Sequence, residues 1–211
     1  MKKSGISSIC KTKINLTLIL LISLSLIFLI LKNMFFFINE EINFSLYGLF
    51  PALLIVMGFY IIDRTFNAGF KTKHYIFVAV IVLASFILGS PLYFAYPHYD
   101  KILHFFQPMM IFSIVFHLVR KLNIKLRWKL IFTFFIIAGL IGMFEIVEFG
   151  LDKLLDLKLQ GVFAASLQKG GQLSLVLDPL SDTHTDMFFG ILGSLIYMIF
   201  LAFYLRKRKK K

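Results

Sequence analysis

Phe144-Glu145-Ile146-Val147-Glu148-Phe149 closes an apolar run of about fifteen residues that begins at Leu130. A spacing of three puts both carboxylates on one face of a helix. The run before them is most of a membrane span in length. A carboxylate in hydrocarbon is costly, so it needs a partner, a proton, a metal or a water-filled cavity. The rest of the chain reads as the scaffold that supplies one.

Composition sets the class. The chain has 211 residues, 59% hydrophobic, with 26 Phe and a mean hydropathy of +0.84. Soluble domains are nearer half apolar, so a polytopic membrane protein is expected. The one cysteine, Cys10, rules out an intrachain disulfide. Residues 1–13 carry four lysines ahead of Ile14 to Leu31, like a signal peptide. That apolar run is longer than a usual signal core, and no small-residue cleavage site follows, so it reads as an uncleaved first span.

With that first span the chain reads as six, at about 14–32, 46–62, 75–90, 101–118, 130–149 and 183–205. Each approaches the ~20 residues a helix needs to cross the bilayer. No segment alternates as barrel strands do. The expected fold is an all-α, polytopic membrane helix bundle, one membrane domain over 1–211. Its short basic tail is 206–211.

With the N-terminus inside, residues 1–13, 63–74, 119–129 and 206–211 hold 18 of the 23 Lys and Arg. Ten of the eleven acids fall on the outer side, leaving only Asp63 inside. This bias puts both termini in the cytoplasm of a bacterial inner-membrane protein. The formal charge of +12 is therefore topological, and nucleic acid is not an expected partner. Arg206, Lys207 and Arg208 are expected to rest on lipid headgroups.

On that map the polar residues converge. Asp100 and His104 begin span four, Glu145 and Glu148 end span five, and Asp182 and Asp186 begin span six. His104 lies about 6 Å below Asp100, Asp186 about 6 Å below Asp182, and Glu145 about 6 Å below Phe149. Three helices thus bring ionisable groups to one depth, just inside the outer face. Asp100, His104 and Gln107 line one face; Asp182, Asp186, Gly190 and Ser194 line another; Ala138, Gly142, Glu145 and Glu148 lie near a third. The small residues favour close helix approach. Pro108 is placed to bend span four near His104. Asp100 and Asp182 also suit N-caps, Asp152 and Asp156 a solvated face, and His74, His98 and His117 the interface. His184 reads as a ligand or an exposed loop residue. At a helix C-terminus, the dipole disfavours Glu145 and Glu148. Residues 157–181 form an outer loop, or a lid over the site.

These residues resemble a known family. Asp100-Lys-Ile-Leu-His104-Phe105, then Glu145-x-x-Glu148, then Asp182-x3-Asp186-Met187 ahead of Gly190 and Gly193-Ser194 are similar to the motifs of YjdF-like bacterial inner-membrane proteins. The VanZ-like family shares the Asp-Lys-x-x-His-Phe start, but there the later motifs usually carry Gln and Asn, so Glu148 and Asp186 favour the YjdF-like side. Asp178 departs from the pattern by one residue. The YjdF-like resemblance implies no activity. The VanZ-like one implies glycopeptide resistance at the cell envelope.

Three functions fit. In the first, Asp100, His104, Glu145, Glu148, Asp182 and Asp186 bind Mg, Mn, Ca or Zn, with Glu145 and Glu148 catalytic toward a lipid or lipid-linked envelope substrate. In the second, the two glutamates titrate as a coupled pair in a proton- or ion-coupled transporter. The third is a non-catalytic binding protein for an envelope precursor or antibiotic. No P-loop, dinucleotide motif or nucleophilic triad is present.

Overall fold

The computed structural model describes residues 46–155, 159–165 and 173–209. The first expected span, Cys10 and Asp156 lie outside them. The described part is mostly helical and divides into two compact units, Met1–Pro91 and Leu92–Lys211.

In the first unit, α1 runs Leu46–Thr65 and α2 Thr72–Val82; a π-helical stretch, Leu83–Ile87, continues to α3, Gly89–Ala95, whose last four residues belong to the second unit. The third expected span is therefore a broken helix. The turn between α1 and α2 uses left-handed backbone at Asn67 (φ 48°) and Gly69 (φ 67°). Asp63 fastens that turn: its carboxylate accepts the Phe70 N–H at 3.0 Å and the Tyr75 hydroxyl at 2.6 Å. Phe59 stacks on Phe70 at 4.5 Å. His74 is buried, and its Nδ1 accepts the Lys71 N–H at 3.1 Å. Asp63 and this histidine thus serve the turn, because buried backbone donors need acceptors.

The second unit holds α4 (Tyr99–Val119), α5 (Leu126–Leu155), a ribbon of β1 (Val162–Ala165) and β2 (Leu173–Leu177), and α6 (Pro179–Lys209). Three helices, Tyr99–Val119, Leu126–Leu154 and Pro179–Arg208, are long and apolar enough to cross a membrane. Their outward sides carry large apolar residues in the open, among them Phe135, Ile146, Phe188 and Phe203. That is costly in water and ordinary in lipid. Between them Phe112, Phe116, Leu130, Ile137 and Ile141 form the core.

Several boundaries differ from the sequence reading. α5 continues two turns past Phe149 to Leu155. The dipole penalty on Glu145 and Glu148 therefore falls away, since it acts within the last turn. α6 starts at Pro179, capped by Asp178, whose Oδ1 accepts the Ser181 N–H at 3.1 Å. Hydrogen bonding from the Ser181 side chain, then from its N–H, holds the exposed Asp178 carboxyl below its usual range. Asp182 sits one turn inside and is no cap. α4 begins at Tyr99 after His98, with Asp100 in its first turn, and runs through Pro108 as one helix. His117 is buried. Part of the expected 157–181 loop is the antiparallel ribbon β1–β2, bulged between Val162 and Phe163.

The stripe of small residues holds for α6 and not for α5. A Cβ on Gly190 would sit 2.9 Å from Ile141 Cδ1, and one on Gly193 would run into the Phe105 carbonyl of α4. A Cβ on Gly142 would meet nothing. The buried face of α5 instead runs Leu130, Thr133, Ile137, Ile141, Glu145. Gly193→Ala should force α4 and α6 apart and cost about 1–3 kcal/mol, because backbone cannot yield as a side chain can. Gly190→Ala should cost less, Ile141 being free to change rotamer. Thermal unfolding of the two variants in detergent checks the order.

Candidate functional site

The cluster lies where α4 and α6 begin and α5 nears its end. The buried face of α4, read back from Phe116 through Phe112 and Pro108, passes Phe105 and reaches Lys101. The N-terminal turns of α4 and α6 favour carboxylates through their free N–H groups and dipoles. Asp100 and Asp182 occupy those turns.

Lys101 is the centre. Its ammonium contacts Asp100 Oδ2 at 3.0 Å, Asp186 Oδ1 at 2.6 Å, and Asp182 Oδ1. An ammonium has three N–H donors, so three carboxylates from two helices saturate it. In the sequence Lys101 stands as one of the outer charges and as the second residue of the Asp-Lys-x-x-His motif. The signal that finds it is its place on the i, i+4, i+7 line to Phe105 and Pro108, the apolar face.

His104, one turn on, faces the same acids: Nε2 is 3.5 Å from Asp100 Oδ1 and 4.0 Å from Asp186 Oδ1, and Nδ1 is 3.8 Å from Glu145 Oε1. One donor atom each from Asp100, His104 and Asp186 lies within 4.8 Å of the others. Glu145 is 4% exposed, and its Oε1 is buried without a hydrogen-bond partner. Glu148, half-buried, lies in electrostatic range of Glu145, His104, Asp100 and Asp186. The structure therefore brings all six expected residues together. Glu145, Glu148 and Asp182 stand outside the three-donor group, and Asp182 Oδ2 accepts the Gly161 N–H at 2.8 Å.

Charge does not balance. Unit charges 4.8 Å apart repel by about 3–4 kcal/mol at an effective dielectric near 20. Five carboxylates face one lysine and one histidine. Even a charged His104 leaves three negative charges over, so the cluster calls for protons or a further cation.

The segment before β1 is tied to this cluster. Besides giving its N–H to Asp182, Gly161 accepts the Tyr93 hydroxyl at 2.6 Å through its carbonyl. Its φ of +86° is left-handed, and a Cβ there would press the Leu177 carbonyl at 3.2 Å. Burial, then the carboxylates of Asp100, Asp182 and Glu148, hold the Tyr93 phenol well above its usual range, so it remains a donor. Asp152 is not a solvated acid: it accepts the Leu159 and Gln160 N–H groups at 2.7 and 2.8 Å. Gln160 donates to Thr183 Oγ1 at 3.2 Å. His184 is exposed. Arg206, Lys207 and Arg208 are exposed at the far end of α6, with Arg208 5.7 Å from the Tyr204 ring.

A membrane protein whose long apolar helices share one buried charged cluster is the class that fold and site define. Residues 14–207 match the family described as predicted membrane protein (DUF2238), and the chain belongs to that family. This is consistent with the YjdF-like resemblance. No curated protein and no solved structure matches the chain.

Tyr93→Phe should release the Gly161 carbonyl and speed amide hydrogen exchange across 159–165. Losing one such bond costs about 0.5–1.5 kcal/mol, so local exchange should rise by roughly two- to tenfold. Exchange in the middle of α4 should not change.

Proposed function

We propose that this protein is a six-span protein of the bacterial cytoplasmic membrane, both termini inside. In this reading the cluster near the extracytoplasmic face holds a divalent cation and acts on a lipid or lipid-linked envelope substrate. The observation that carries it is the meeting of Asp100, His104 and Asp186 donors within 4.8 Å, beside the orphaned Oε1 of Glu145. Two carboxylates and an imidazole suit Mg, Mn or Zn. Donors about 2.1 Å from one ion lie at most about 4.2 Å apart, so a pair at the 4.8 Å limit must draw in by at least about 0.6 Å. In this reading Glu145 joins them, and Glu148 moves a proton one turn away. When bound, such an ion activates water and polarises a phosphoryl or ester oxygen. Asp182 holds Lys101 and the Gly161 segment and so keeps the cluster's rim in place.

The Lys and Arg distribution supports the orientation. A C-terminal fluorescent fusion should fluoresce, and alkaline phosphatase joined at Asp178 should be active; the reverse pattern would turn the site to the cytoplasm. Elemental analysis of detergent-purified protein tests the metal. Stoichiometric metal should be found in the wild type and lost in His104→Ala and Glu145→Gln. Equal metal in all three, or none in any, would overturn the reading. The presence of Lys101 among three aspartates favours a second reading, proton- or ion-coupled transport. That reading expects no bound transition metal and pH-driven uptake in proteoliposomes.

A further inference from the structure

The donors that would take a divalent ion already hold a cation. Asp100 and Asp186 belong to the three-donor group with His104, and both also bind Lys101 Nζ, at 3.0 and 2.6 Å. Asp186 turns one oxygen, Oδ1, to both His104 and the ammonium, so an incoming ion and Lys101 compete there; Asp100 offers Oδ1 toward His104 and Oδ2 to Lys101. His104 and Glu145 are not contacts of Lys101 and remain for the ion alone. Asp182 binds Lys101 but is outside the three-donor group, so it can keep the ammonium after Asp186 releases it.

We infer that Lys101 is the specificity-determining residue of this site, an internal cation that excludes monovalent ions and yields to divalent ones. The inference rests on the metal reading above. A monovalent ion replacing the ammonium brings the same single charge, so the exchange gains little Coulomb energy. It must also displace a group tethered on the same helix, whose effective concentration reaches millimolar or more. A divalent ion brings one charge beyond what it displaces, to a cluster with negative charge to spare. It also gains an imidazole nitrogen, which a transition ion binds well and sodium poorly. Selectivity here comes from an occupant that the wrong ion cannot evict, a form of discrimination against competitors.

The test is Mn²⁺ titration of the detergent-purified full chain, wild type beside Lys101→Met, Lys101→Arg and His104→Ala. Each is run in choline chloride and in sodium chloride at equal ionic strength. Lys101→Met should bind Mn²⁺ at least about tenfold more tightly in choline, from the unit charge removed at contact distance. Sodium should then compete in that variant and not in the wild type. Lys101→Arg keeps the charge and should retain the discrimination. If the wild type binds Mn²⁺, His104→Ala abolishes binding, and Lys101→Met binds no tighter and stays blind to sodium, the inference fails while the metal site stands. If neither the wild type nor Lys101→Met binds Mn²⁺, the metal reading itself fails. A wild-type measurement removes dependence on the variant's folding. Lys101 is only 11% exposed along its side chain, so amine labelling read by mass spectrometry should be slow there. Saturating Mn²⁺ should accelerate it at Lys101 and not at Lys125; unchanged labelling would overturn the inference.

Discussion

One ammonium among three carboxylates holds this end of the molecule together. Lys101 joins the first turn of α4 to the first two turns of α6 in a setting where each partner alone would be an uncompensated charge. Removing a partner from a buried ion pair is typically far costlier than the pair's net worth, because the survivor stays desolvated. The contact therefore fixes the relative height of α4 and α6. The glycines below it fix their separation: Gly193 admits the Phe105 backbone and Gly190 admits Ile141. Above, the spare oxygen of Asp182 holds the chain at Gly161 and so sets where β1 begins.

Much of this was legible in the sequence. The acids at the helix ends, their common depth, and the face carrying Asp182, Asp186, Gly190 and Ser194 all follow from a rise of 1.5 Å and a period of 3.6. What was missed was missed for physical reasons. The face of α5 was rotated toward Gly142, because small residues were given weight over Thr133, Ile137 and Ile141; β-branched side chains fill the core there, and the helix needs no close approach. Lys101 was counted as a topological charge, since a lysine near a membrane boundary usually reaches for water. Only the apolar line from Lys101 to Phe116 marks it as inward. Tyr93 and Gly161 could not be read at all: their contact spans 68 residues and depends on how the chain returns from α5.

The acids also sort into two kinds that composition does not separate. Asp63, Asp152 and Asp178 each accept backbone N–H groups at turns, the ordinary use of a short carboxylate where the chain changes direction. Asp100, Glu145 and Asp186 accept none, among the described residues, in the hydrogen bonds set out above. Their partners are a lysine, a histidine and one another. Asp182 does both, giving Oδ2 to the Gly161 N–H and Oδ1 to Lys101.

The ion pair between Lys101 and Asp182 joins residues 81 positions apart. At about 5–20 residues per second, α4 is made some 4–16 seconds before α6 emerges to meet it. During that interval the charged turn of α4 must enter the membrane without its aspartates from α6. What it has is local: Asp100 beside Lys101, and His104 one turn away, 3.5 Å from Asp100. The turn is close to neutral by itself. The Asp-Lys-x-x-His order thus lets the helix be inserted first and completed later.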